Sequence, residues 1–278
     1  MAQKLNKKLV GFLVVSLMAL MTVTGVVLIG NLPEQDPAKY AADGEKFMAE
    51  GDYDKALQSF QRAYSKDRAQ NPDYLVKSAR CALELGKVAE ARTLIEYAKV
   101  RDQKNKAALE LDLDLEFELA PLFGSINQWN QVIERARDMQ EMDEFSGSAK
   151  VHYALGRAYV ELRKEDATYE SKGEAELKRA IELDPANVEA VTILAKQMSQ
   201  AALEKEAERQ REEAESIRQT RRAIVSAAIE KCPDPEKKSE LRVLLAQCLI
   251  NDGEAEKGVD QLKQIAARET TETTARLF

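Results

Sequence analysis

Two hydrophobic patterns divide this chain. The first is the run LVGFLVVSLMALMTVTGVVLI, Leu9 to Ile29, which holds no charge and lies between Lys4, Lys7, Lys8 and the next charged residue, Glu34. Thirteen Leu, Ile, Val and Phe residues fall between positions 9 and 30. On the insertion scale they sum to roughly −4 to −8 kcal/mol, and no charge opposes them. The run predicts a membrane-spanning helix over residues 9–32. A cleaved signal peptide also starts basic and then apolar, but this run is longer than a usual signal core and no A-x-A-like site follows it. An uncleaved anchor is therefore expected. Cations precede the span, while Glu34, Asp36, Asp43 and Glu45 dominate after it. The tail 1–8 is therefore expected in the cytoplasm and the body across the membrane, in the periplasm of a bacterium with an inner membrane.

The second pattern begins after the linker PEQDP, residues 33–37. Apolar residues now recur at three- and four-residue spacing among Ala, Leu, Glu, Lys, Gln and Arg, and no Val/Ile/Thr-rich runs interrupt them. This predicts an all-α body.

Internal similarity organises that body. Residues 40–63, YAADGEKFMAEGDYDKALQSFQRA, place large residues at Tyr40, Phe47 and Phe60, small ones at Gly44, Ala56 and Ala63, and a turn at Gly51. Two short antiparallel helices approach closely only where small residues sit at their crossing, and large neighbours fill the space beside it. Residues 75–98 repeat the scheme with Ala79, Ala82, Gly86, Ala91, Ile95 and Ala98. The stretch from His152 to Pro185 repeats it with Leu155, Gly156, Tyr159, Leu177 and Ala180. Another copy ends at Ala228 and Pro233. The last carries Leu245, Ala246, Leu249, Gly253, Gly258 and Leu262. Residues 105–143 are a degenerate unit with Trp129 and Val132 in the second helix.

These strings resemble the tetratricopeptide repeat (TPR), in which a helix–turn–helix unit of about 34 residues stacks on its neighbours because one pair cannot bury its apolar face alone. AIELDP, ending at Pro185, is the most typical string. Asp43 departs from the usual Leu. The resemblance implies an α-solenoid of about five to six helix pairs over 38–278, with repeats near 38–70, 72–104, 105–143, 149–185, 188–233 and 239–268.

Four stretches depart from the repeat. LELDLDLEFEL, residues 109–119, alternates strictly, which normally argues for a strand, yet no second alternating run exists to pair with it. On a helix, Leu109, Leu113 and Phe117 form one stripe and Leu111, Leu115 and Leu119 another, as suits a helix between two neighbours. Its acids are expected on a solvated edge. About five extra residues surround KEDATYESK. About fourteen lie near EKEAERQREEAESIRQTRR, which is polar on all sides and leaves lengthened helices or a projecting arm open. Finally, ETTETTARLF reads as the first helix of a further repeat, so either the chain is truncated or its open end is covered by a partner or a second copy.

Charge narrows the partners. The formal net charge is −7. Since Lys4, Lys7 and Lys8 contribute +3, the body carries −10. An acidic body excludes nucleic acid as the natural partner. Cys81, Cys232 and Cys248 form no CxxC and predict small apolar helix residues, with one Cys81–Cys248 or Cys232–Cys248 bridge left open. The only histidine, His152, stands at a large packing position. No phosphate loop, metal motif or nucleophile motif occurs. No enzyme, cofactor or metal is expected.

The resemblance implies that first helices line a concave groove for a protein or peptide partner. Its inward positions include Glu45, Arg80, Pro121, Arg157, Lys196 and Gln247. Arg80, Arg157 and Lys196 form a candidate basic strip, while Tyr153, Arg157 and Glu161 share one helix face. Ala41 and Glu45 replace the Lys and Asn that clamp chaperone carboxylates in some members, so that clamp is not expected. The expected function is a membrane-anchored scaffold in envelope assembly; a structural subunit of a larger membrane complex, or part of a longer protein, are the alternatives.

Overall fold

The computed structural model of the chain describes residues 36–68 and 70–277, with side chains as far as residue 267. The expected tail and anchor, 1–8 and 9–32, lie outside the described residues. Among those described, no helix is long and apolar enough to cross a membrane.

Twelve α-helices follow one another among the described residues, and no strand intervenes. They are α1 (Pro37–Ala49), α2 (Tyr53–Lys66), α3 (Asp73–Glu84), α4 (Val88–Arg101), α5 (Lys106–Phe123) and α6 (Ile126–Gln140). A 3-10 turn at Asp143–Phe145 precedes α7 (Ala149–Glu161), α8 (Thr168–Leu183), α9 (Val188–Ala207), α10 (Arg211–Lys231), α11 (Pro235–Asn251) and α12 (Ala255–Leu277).

Local chemistry sets their ends. Asp36 accepts from the backbone N–H of Ala38, and Pro37 opens α1. Ser148 caps α7, Asn187 caps α9, and Asp234 caps α11 ahead of Pro235. Each supplies an acceptor to an N–H that lacks an intrahelical partner. Gly86 ends the α3 turn at φ 70°, which lets the N–H of Lys87 reach back to the carbonyl of Ala82 at 2.8 Å. A side chain with a Cβ is strained at that φ.

The chain forms two compact units that divide between Leu111 and Asp112, within α5. In the first unit, α1 packs on α2, α2 on α3 and α3 on α4. Gly44 meets Phe60 at the first crossing; a Cβ on Gly44 would lie 2.7 Å from the Phe60 ring. Ala56, Ala63, Ala79, Ala82 and Ala91 are fully buried around such crossings.

In the second unit, α7 packs on α8, α9 on α10 and α11 on α12. The α7–α8 crossing is as close as the first: a Cβ on Gly156 would meet Leu177 Cγ at 2.7 Å. Leu177, Leu194, Val225 and Leu241 continue one apolar core through α8, α9, α10 and α11. Each unit is therefore a TPR-like stack of helix hairpins.

The structure settles three of the irregular stretches. Residues 109–119 are helical, and Leu109, Leu111, Leu113 and Leu115 are all buried. Two acids of that run are not on a solvated edge, however. Asp112 is 1 % exposed and Glu116 0 %. Arg135 Nε lies 2.9 Å from Asp112, and Gln128 donates to Glu116. A buried carboxylate persists only with such partners, and both come from α6. Asp114, more exposed, pairs with Lys150 at 2.6 Å.

The polar stretch near residue 210 is two lengthened helices, α9 of 20 residues and α10 of 21, joined at Arg209 with φ 63°. Ala202 and Ala214 are buried on their facing sides. Arginines of this stretch form an ionic cluster. Arg221 is 2 % exposed and donates to Ser199 and to Asp252, itself nearly buried. Arg218 reaches Glu206 at 2.5 Å and Arg222 reaches Glu254 at 2.5 Å. The cluster ties the α9–α10 hairpin to the α11–α12 turn. The C-terminal stretch also differs from expectation. ETTETTARL begins no new helix, because α12 runs without a break from Ala255 to Leu277.

Candidate partner-binding groove

The first turns of the site are built by α7. Trp129 on α6 packs edge-on to Phe117 of α5, with centroids 6.3 Å apart, and Phe117 leans on Tyr153 of α7 at 5.3 Å. Arg157 lies one turn beyond Tyr153. Its guanidinium carbon sits 5.3 Å from the Phe117 ring centre and 5.8 Å from that of Trp129. Its Nη1 donates to the Tyr153 hydroxyl at 3.3 Å, and that hydroxyl donates to Glu189 of α9 at 2.7 Å. Ring faces carry negative electrostatic potential, so two rings and the Tyr153 hydroxyl fix one cation. Burial, and then the hydrogen bond to Glu189, push the Tyr153 phenol up to about 12. It stays a neutral donor throughout the physiological range.

Beside this platform, α7, the α7–α8 turn, the start of α8, α9 and the start of α11 enclose a concavity of about 940 Å³. Arg157, Glu161, Arg163 and Lys164 line it from α7 and its turn, and Glu170 from α8. The α9 wall carries Glu189, Thr192, Ile193, Lys196, Gln197, Gln200 and Glu204, and α11 adds Glu240. Val160 and Val188 supply apolar floor. The lining holds both signs of charge interleaved with amides, a surface suited to a polar, extended ligand rather than to a small apolar one.

The expected groove residues are therefore only partly united. Arg157, Glu161 and Lys196 line one concavity. Tyr153 lies beneath it, buried, touching both Arg157 and Glu189. Gln247 is exposed on α11 but is not among the lining residues. Arg80 is exposed on α3, in the other unit. Sequence reading missed Glu189, Thr192, Gln200 and Glu204, although they fall with Lys196 on one stripe of α9 at three- and four-residue spacing, a signal present in the sequence. It also missed Phe117 and Trp129 as supports of Arg157, because no repeat position links them.

The other candidate groups are structural. His152 is buried, with Nδ1 2.6 Å from Glu176 and Nε2 3.4 Å from the Ser146 carbonyl. The three cysteines are free and buried. Desolvation, with the Glu45 carboxylate nearby, raises the Cys81 thiol to about 11, and burial raises Cys248. Such thiols are poor nucleophiles. Among the described residues, no group of three or more His, Cys, Asp or Glu side chains could hold a metal ion.

Hairpins crossing at glycine and alanine, stacked in series beside a concavity lined by first helices, define the class to which the fold points, that of TPR-like α-solenoids. Residues 47–111 match the model of the tetratricopeptide repeat family. The structure is similar to that of pilF of Pseudomonas aeruginosa, at a TM-score of 0.54 and 14 % identity, covering 86 % of this chain and 97 % of that one. It is also similar to yeast Tom70, at 0.51 and 15 %, covering 80 % of this chain but 41 % of that one. A thermophilic TPR protein in Thermus thermophilus is 23 % identical, at a TM-score of 0.47, with 77 % and 99 % covered. These likenesses concern the fold. No curated protein sequence matches the chain.

Proposed function

We propose that this protein is a membrane-anchored adaptor that holds an extended segment of a partner protein in the concavity of its second unit, on the periplasmic side of a bacterial inner membrane. The anchor is residues 9–32, and the repeats occupy 38–278 with the spacing given above. The observation that carries the reading is the fixed guanidinium of Arg157 at the edge of a polar concavity of about 940 Å³. A cation immobilised before binding loses little side-chain entropy when a carboxylate docks on it. Lys196 offers a second cation on the facing helix, and Gln197 and Gln200 suit backbone amides. Tethering to a bilayer would raise the scaffold's effective concentration for neighbours in the same plane. Assembly of an envelope complex is a role that needs such a scaffold.

A photoreactive residue placed at Thr192 in intact membranes tests the reading. It should capture a discrete partner, and Arg157→Glu with Lys196→Glu should reduce capture at least tenfold. Capture that both reversals leave unchanged sinks the groove assignment. Extraction of the membranes with alkaline carbonate tests the anchor separately: release of the chain would remove the membrane part of the proposal and leave the groove.

A further inference from the structure

The second unit also carries two unpartnered apolar features away from the groove. One is a knuckle at the α5–α6 turn. Leu122 is 77 % exposed, Phe123 68 % and Ile126 49 %. Single exposed apolar residues are ordinary on a protein surface, whereas three within five positions at one turn form a patch. The other is a slot of about 310 Å³ between α8 and α10, floored by Ile181, Pro185, Ile224 and Ala227.

Their charges are complementary. Glu118 is exposed one turn before Leu122 on the same helix. At the slot, Lys178 and Lys231 stand on opposite walls. Lys178 is already paired with Glu174 at 2.6 Å, but Lys231 makes no ion pair among the described residues. The one carboxylate on the slot, Glu182, is occupied by Arg179 at 3.0 Å. The slot thus offers an apolar floor and a free ammonium. The knuckle offers large apolar side chains and a carboxylate one turn away. Both features belong to one compact unit and both remain open within it.

We infer that the knuckle of one molecule docks in the α8–α10 slot of a second copy, with Glu118 facing the partner copy's Lys231. The contact joins different surfaces of the two molecules, so it propagates head to tail into a ring or an open row. It uses neither Arg157 nor Lys196 and is independent of the groove reading.

The test uses the full chain in mild detergent, with association followed by sedimentation over a wide concentration range. Phe123→Glu removes the knuckle. Ala227→Glu, at an exposed position four residues before Lys231, fills the slot and neutralises its cation. Each variant alone should associate at least tenfold more weakly than wild type. An equimolar mixture of the two retains one intact knuckle and one intact slot, so it should form a heterodimer and nothing larger. Wild type that stays monomeric, or association that survives in both single variants, overturns the inference. A photoreactive group at position 123 should label α8 or α10 of another copy; labelling of lipid or of an unrelated protein instead overturns it too.

Discussion

At the scale of single residues, the fold rests on pairs of very small and very large side chains. Gly44 with Phe60 and Gly156 with Leu177 were legible in the sequence, because two helices that nearly touch leave room for hydrogen alone at the crossing. Gly156→Ala should cost about 1–3 kcal/mol, since the added carbon meets both the Leu177 side chain and its backbone nitrogen. Gly147→Ala, with nothing within 4 Å, should stay within about 0.5 kcal/mol of wild type. Urea denaturation of the two variants makes the comparison. The buried carboxylates Asp112 and Glu116 were not legible. Periodicity places a residue on a face but says nothing about whether the neighbouring helix brings an arginine or an amide to meet it. The same limit hid the aromatic bed of Arg157, whose rings come from two other helices.

At the scale of elements, hydrophobic spacing identified α5 as a helix against its own strand-like alternation, because a helix between two neighbours requires two apolar stripes. It left the α9–α10 extension ambiguous, because an all-polar surface carries no period to read. The link from there to the α11–α12 turn is ionic. Asp252 faces Arg218, Arg221 and Arg222. Removing it alone by Asp252→Ala strands a buried guanidinium and should cost about 3–5 kcal/mol. The double change Arg221→Met with Asp252→Leu should recover most of that loss, since the charge then leaves together with its partner. Thermal unfolding of wild type, single and double variants distinguishes this from a simple packing defect, for which the double variant would be the worst. The end of α12 was misread for a related reason: a Thr/Glu-rich stretch resembles a fresh helix start, but no Pro or Gly after Gly258 interrupts the helix already under way.

At the scale of the whole molecule, the all-α class and the helix count were readable from sequence, while the division near residue 111 was not. Composition does not change there, and α5 passes through it. Each unit has its own buried core, so a cavity in one should not loosen the other. Phe60→Ala should lose about 3–5 kcal/mol locally and speed amide exchange in α1 to α4. Exchange in α7 to α11 should stay as in wild type. Hydrogen exchange read by mass spectrometry resolves the two, and uniform acceleration throughout would mean that the units unfold as one.

The Arg209 turn has one more consequence. The two long helices on either side of it hold each other without help from the peptide that joins them, through Arg218 on Glu206 at 2.5 Å and Lys205 on Glu213 at 3.6 Å. Arg209 itself is exposed. The loop is therefore a splice point: a reporter domain inserted there, or a break made by a protease, would leave both halves in register, and the molecule could be built from two separately expressed pieces that find each other along α9 and α10.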